Sequence, residues 1–181
     1  MNADHEDTVV YDGQFIQTIR RSFIRHGQTL TWEMVRRKVF GHVVAVAAVT
    51  PKLEIILIKI WRVPLLDYVF ELPAGLMDKP NESEGDCARR ELLEETGYET
   101  DPLCEIIRGP FNAGLTSDEV VHFCGLNARP AQDPCHEKEE EIEVIKMPLQ
   151  DMESFLYSGR HRVDVKIACV LPYFRTKGLL R

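Results

Sequence analysis

Residues 75–98 read G-L-M-D-K-P-N-E-S-E-G-D-C-A-R-R-E-L-L-E-E-T-G-Y, and the rest of the chain is organised around them. The second half of this stretch carries helix punctuation at both ends. Ser83 followed three residues later by Asp86 forms a capping box, in which the serine oxygen and the carboxylate can each satisfy an orphan backbone N–H. Gly97 can take the left-handed conformation that lets the last carbonyls find partners, so the spacing predicts a helix over about Glu84–Thr96. On a helix advancing about 100° per residue, Ala88 and Leu92 form the core-facing line, Glu91 and Glu95 fall just beside it, and Glu94 lies one step further round. For stability alone this is a poor arrangement. Glu91 and Glu95 are like charges four apart, and Glu94 and Glu95 occupy the last turn, where the helix dipole is negative. A hard divalent cation with oxygen ligands would reverse both penalties, whereas the plain alternative is a solvated acidic face.

The flanking residues choose between these. Glu82, Arg90, Glu91, Leu92, Glu94, Glu95, Gly97 and Tyr98 stand at the spacing of the Nudix box, G-x5-E-x7-R-E-U-x-E-E-x-G-U with U bulky and apolar, and the stretch resembles that signature of the Nudix hydrolases. One position departs from it. Six residues rather than five separate Gly75 from Glu82, which lengthens the loop entering the helix and leaves the helical carboxylates in place.

Composition sets the outer bounds. A chain of 181 residues has the length of one domain, and 44% hydrophobic with 28% charged residues describes an ordinary globular protein. The net charge of −7 argues against a nucleic-acid surface, which depends on Lys and Arg, so a small anionic substrate requires local cations. Met1–Gly13 holds Asp4, Glu6 and Asp7 and no apolar run, which predicts neither a signal peptide nor a membrane span and makes the cytoplasm the expected location. The five cysteines, odd in number and without a C-x-x-C pair, read as small, mostly buried, reduced residues.

Along the chain, residues 1–40 form an expected N-terminal β segment, with alternating residues over Gln14–Lys38 and a turn at His26-Gly27-Gln28. Such a segment has little core of its own, which makes it the expected dimerisation element. Residues 41–181 form the expected main domain. His42–Thr50 and Leu53–Trp61 read as buried strands joined by a turn, Leu103–Phe111, Glu119–Leu126 and Ile142–Met147 as further strands, Pro148–Tyr157 as a short helix, and Val163–Arg175 as a helix that Pro172 kinks or shortens. Strands first, one helix in the middle and two at the end give an α/β/α layered domain with a mixed sheet, the sandwich that the Nudix resemblance also implies.

The resemblance reaches past the box. Arg62 followed by Glu71-Leu72-Pro73-Ala74-Gly75 is similar to the arginine and E-L-P-A-G segment of the Nudix branch that hydrolyses ADP-ribose and other nucleoside diphosphate sugars. It implies a metal-binding carbonyl at Ala74 and substrate contacts at Arg62 and Glu71. Asn112–Glu119 resembles the substrate loop S-P-G-x-S-x-E, with alanine in place of proline and one extra residue between Gly114 and Glu119, and implies a contact at Gly114. The acidic run Glu137–Glu143 resembles a segment that supplies a further metal ligand and a catalytic glutamate, here Glu140 or Glu139. Trp32 stands where relatives place an aromatic that stacks on the nucleobase across a strand-swapped dimer.

The expected function is therefore Mg2+-dependent hydrolysis of a nucleoside diphosphate sugar, ADP-ribose first, with Mn2+ as a substitute metal. Two or three ions would be held by Ala74, Glu91, Glu95, Glu140 and Glu94, and Glu94 or a glutamate of the 139–140 pair would accept the water proton. The same residues leave GDP-mannose or UDP-glucose open as substrate. A non-hydrolytic nucleotide-sugar sensor is the alternative from another class, and the presence of Glu91, Glu94 and Glu95 together speaks against it.

Overall fold

A strand buried on both faces needs an apolar residue at every position, and the Val/Ala run after His42 supplies one. In the computed structural model, which describes residues 5–38, 41–136 and 141–180, that run is the centre of the molecule. The chain proceeds as β1 (His5–Asp12), β2 (Ile16–Arg25), β3 (Gln28–Arg37), β4 (Val43–Val49), β5 (Glu54–Arg62), β6 (Asp67–Glu71), β7 (Ala74–Leu76), α1 (Glu84–Thr96), β8 (Tyr98–Glu99), β9 (Leu103–Pro110), β10 (Glu119–Leu126), β11 (Arg129–Pro130), β12 (Ile142–Pro148), α2 (Met152–Tyr157) and α3 (Leu171–Thr176). The main sheet runs β12-β5-β4-β10-β9, with β6 on β5 and β7 on β4. β4 and β10 are parallel and the other pairs antiparallel, so the sheet is mixed, as expected.

Alternate residues of β4 feed two cores. Val44, Val46 and Ala48 pack with Ala88 and Leu92 of α1. Ala45, Ala47 and Val49 pack with Met152, Ile167 and Phe174 from the C-terminal helices on the other face. This is the α/β/α sandwich. Helix α1 has the expected bounds because its caps are local: Ser83 accepts from Asp86 N–H, and Gly97, at φ 73°, donates to the Leu93 carbonyl.

Several expectations change. Val163–Arg175 is not one helix. Residues 162–164 run extended beside Phe70, Asp164 caps a 3-10 turn over Val165–Val170, and α3 begins only at Leu171. Pro172 sits in the first turn of α3, where a missing N–H costs nothing, and so helps start the helix it was expected to kink. Strands β1, β6, β7, β8 and β11 carry no sequence signal strong enough to announce them. The cysteines are all free, but Cys104, Cys135 and Cys169 are exposed, on an edge strand, a loop and a 3-10 turn. Among the described residues no helix is long and apolar enough to cross a membrane.

Strands β1, β2 and β3 form a separate antiparallel sheet. Arg25 pairs with Gln28 around His26 and Gly27, both at positive φ, which is the two-residue hairpin turn that strand twist favours. This sheet leans on the Asn112–Asp118 loop: Val35 N–H donates to the Leu115 carbonyl at 2.9 Å, and Arg37 pairs with Asp118 at 2.9 Å.

Candidate active site

Because Glu91 and Glu95 flank the buried line of α1, both carboxylates meet the backbone where β6 turns into β7. Glu95, 6% exposed, accepts from the Ala74 N–H at 2.9 Å. The Glu91 carboxylate lies against the backbone of Gly75 so closely that a Cβ there would stand 2.0 Å from its carboxyl carbon. The first glycine of the stretch is thus fixed by sterics: any side chain would occupy the place of Glu91.

Arg90 changes the electrostatic argument made from the sequence. Its guanidinium grips Glu82 at 2.8 and 2.9 Å, Glu91 at 2.6 Å and Glu94 at 3.1 Å. The arginine within the same stretch thus compensates Glu82, Glu91 and Glu94 in part, while the charge of Glu94 still acts on Glu91. These bonds raise the Arg90 pKa further, chiefly through Glu82, whose own pKa they lower. Burial nevertheless outweighs Arg90 at Glu91 and raises its pKa. The longer entry loop does not disturb this clamp. The loop ends in a turn closed by Glu82 N–H on the Lys79 carbonyl, with Pro80 and left-handed Asn81 at the corners.

These groups line a cavity of about 1080 Å3. Glu91, Glu94 and Glu95 form one wall together with Ala74 and Gly75. Cations line it too: Arg37, Arg62, Arg162 and Lys166, each held by an acid, namely Asp118, Glu71, Asp67 and Asp164. Arg62 and Glu71 pair through two parallel hydrogen bonds at 2.7 and 2.8 Å, which raises the Arg62 pKa. Glu71 is buried and turned to Arg62, so its visible role is to aim that fork.

Trp32 and Gly114 are brought together, but outside the cavity. The indole N–H donates to the Gly114 carbonyl at 3.0 Å, and Trp32 is 56% exposed. Glu139 and Glu140 lie outside the described residues. On one side of them, Cys135 N–H donates to the Glu94 carbonyl and the His136 ring bonds the Glu95 carbonyl, both at 2.8 Å. Among the described residues no three acidic, histidine or cysteine side chains already converge as a metal cage. The donor set nonetheless suits a hard cation, because Glu91, Glu94 and Glu95 bring carboxylate oxygens to a backbone turn at Ala74 and Gly75.

This geometry agrees with family comparison. The NUDIX domain model matches residues 40–166. The chain belongs to the Nudix family. Its Nudix relatives include pyrophosphatases. It is 30% identical over 185 residues to the ADP-ribose pyrophosphatase of Bacillus subtilis (strain 168), covering 100% of this chain and 98% of the relative. It is 32% identical over 116 residues to the GDP-mannose pyrophosphatase of Yersinia enterocolitica serotype O:8, covering 62% of this chain and 59% of that one. A crystal structure of an ADP compounds hydrolase superposes with a TM-score of 0.74 at 20% identity, covering 86% of this chain and 83% of that one, which shows the Nudix fold.

Sequence patterns did not identify Arg37, Phe111, Arg162, Asp164 and Lys166 as cavity residues. Arg162 and Asp164 reach the cavity only because their backbone pairs with Phe70 about ninety positions earlier in the chain, a contact with no local signature.

Proposed function

We propose that this protein hydrolyses the diphosphate of a nucleoside diphosphate sugar with the help of Mg2+, giving a nucleoside monophosphate and a sugar phosphate, and that ADP-ribose is its lead substrate. The observation that carries this is the cavity itself, in which Glu91, Glu94 and Glu95 and the Ala74–Gly75 backbone stand on one wall and the guanidinium groups of Arg37, Arg62 and Arg162 line the same space. A net charge of −7 repels a diphosphate from most of the surface, so gathered cations mark where one is received. The full-length similarity to an ADP-ribose pyrophosphatase favours ADP-ribose, and the shorter similarity to a GDP-mannose pyrophosphatase supports GDP-mannose as the second candidate.

The chain's share of the work is position and charge. Arg62, held by Glu71 through Nε and Nη2, offers its remaining Nη1 and Nη2 hydrogens to phosphate oxygens. Glu91, Glu95 and the Ala74 carbonyl, with Glu94 and Glu140, would hold Mg2+, or Mn2+ in its place. When bound, the metal neutralises the diphosphate and acidifies the attacking water. Glu94, exposed enough to meet water, or a glutamate of the 139–140 pair accepts the proton. Arg90 holds the carboxylates of Glu91 and Glu94 in place through its hydrogen bonds.

The protein would act in the cytoplasm as a homodimer, with residues 1–40 as the dimerisation segment and 41–181 as the catalytic domain. Support for the dimer comes from the N-terminal sheet, whose Val9, Val10, Tyr11, Ile24 and Leu30 are exposed. Across such a dimer Trp32 and Gly114 would reach the partner's substrate. The deciding experiment is a phosphatase-coupled phosphate-release screen over nucleoside diphosphate sugars, with Mg2+ and with EDTA. Release from ADP-ribose that EDTA abolishes is expected; no release from any of them would leave the sensor function standing.

A further inference from the structure

The cavity has a wall that the acidic helix does not form. Phe70 N–H donates to the Arg162 carbonyl and Asp164 N–H to the Phe70 carbonyl, each at 2.9 Å, so residues 162–164 lie as an added edge against β6. Asp164 then accepts from Lys166 N–H at 2.8 Å with one oxygen and takes the Lys166 ammonium with the other. That ammonium also stands 5.6 Å from the centroid of the Phe111 ring, and Phe111 is 41% exposed. Phe111, Asp164 and Lys166 line the same cavity as Glu91, Glu94 and Glu95.

A phosphate would be a poorer guest here than at Arg37 or Arg162, because Asp164 itself lines the cavity and would face it with like charge, whereas their partners Asp118 and Asp67 do not line it. A hydroxylated ring fits better. An ammonium has three donors and Asp164 engages one, while a carboxylate has about four acceptor sites, so the pair can both donate to and accept from neighbouring hydroxyls. The face of Phe111 suits the C–H side of such a ring, which packs on an aromatic surface by dispersion. We infer that Phe111, Asp164 and Lys166 form the subsite for the sugar attached to the distal phosphate of the substrate. The inference rests on the pyrophosphatase function proposed above and adds to it the residues that recognise the part of the substrate beyond the diphosphate.

The experiment compares ADP-ribose with the β-methyl ester of ADP, which keeps the nucleoside and both phosphates and lacks the distal sugar. Steady-state kinetics with Mg2+ give kcat and KM for ADP-ribose, and competition gives the inhibition constant of the methyl ester. Lys166→Met keeps the apolar stem and removes the donors. It is expected to raise KM for ADP-ribose about tenfold, to leave kcat within about twofold, and to leave the inhibition constant of the methyl ester unchanged. Phe111→Leu, which leaves the Asp164–Lys166 pair in place, is expected to shift the same ratio in the same direction and serves if the first variant does not fold. Equal weakening of both compounds overturns the subsite, since the residues would then serve the nucleotide or the fold, and so does no weakening of either. Failure of the parent function is seen separately, as a wild-type protein that hydrolyses no nucleoside diphosphate sugar, and the subsite falls with it.

Discussion

Along β4 every residue from Val44 to Val49 is buried, whereas along β1 of the N-terminal sheet none is. Both are paired strands, β4 with β10 along its whole length and β1 with β2 across a bulge between Val9 and Tyr11, so the presence of a hydrogen-bonded partner does not separate them. The difference lies in what covers them. The main sheet is sandwiched between α1 and the C-terminal helices, while Ile19 and Met34 are the buried hydrophobic residues that the three-stranded sheet contributes among the described residues. In place of a core it has charge: Asp7 with Arg21 and Arg36, Arg20 with Glu33, and Lys38 with Asp12. Exposed ion pairs contribute about 0–1 kcal/mol each, against about 1.5–3 kcal/mol for a fully buried aliphatic side chain. The site has been built on the region whose positions are fixed by packing, and the weaker region sits beside it, against the Asn112–Asp118 loop.

The comparison can be sharpened first at the chemistry. Glu95→Gln keeps an oxygen that can accept from the Ala74 N–H, so the sandwich should stay folded while turnover at saturating Mg2+ falls about a hundredfold or more. Near-normal turnover, with folding verified by circular dichroism, would remove Glu95 from the metal site. Next comes the core itself. Leu92→Ala removes a fully buried side chain between α1 and the main sheet and should lower stability by about 3 kcal/mol in urea unfolding. A loss below about 1 kcal/mol would mean that the sandwich is not the stability-determining region. Trp32→Ala probes the weaker sheet. It should raise KM for the nucleotide sugar about tenfold and leave kcat nearly unchanged, as expected for a stacking contact given across a dimer. A fully active monomer by light scattering sinks this idea.

How much of this was legible in the sequence follows the same division. Helix α1 could be bounded to the residue because its cap, its glycine and its apolar line are all local. The two-sided core of β4 was legible because burial on both faces imposes an unbroken apolar run. Glu91 and Glu95 were legible by helical spacing, yet the partial compensation of the acids by Arg90 was not, because its reach to Glu82, Glu91 and Glu94 depends on rotamers and on the path of the loop. The cavity wall at Arg162–Lys166 was illegible. Its residues read as the start of an amphipathic helix, and a single non-local pairing with Phe70 overrides that pattern.

The smallest effect concerns acid, and Asp7 and Glu91 should answer it with opposite signs. Hydrogen bonds from Arg21 and then Arg36 hold the Asp7 carboxyl well below the usual carboxylate range. Its contribution to the N-terminal sheet is therefore present above the pKa of an unfolded aspartate and lost as pH falls towards the folded value. Glu91 behaves in reverse. Burial raises its pKa, so the folded protein binds that proton more tightly than the unfolded chain, and protonation on acidification relieves a penalty carried at neutral pH. Glu82 and Glu84, held low by Arg90 and Arg108, lose their contribution on acidification as Asp7 does, but Glu91 offsets part of that loss and the main sheet keeps its buried cores, so lowering the pH through the carboxylate range should loosen β1–β3 before the sandwich. Amide hydrogen exchange read segment by segment would show it: protection in residues 5–38 should drop at a pH where β4, β5 and α1 are still protected. Asp7→Asn should start with lower protection in that sheet at pH 7 and show less further loss on acidification. If the two sheets instead lose protection together, or if Asp7→Asn leaves the pH profile of residues 5–38 unchanged, then charge is not what holds the N-terminal sheet, and the contrast between the two regions must be sought in its apolar residues, Ile19 and Met34 foremost.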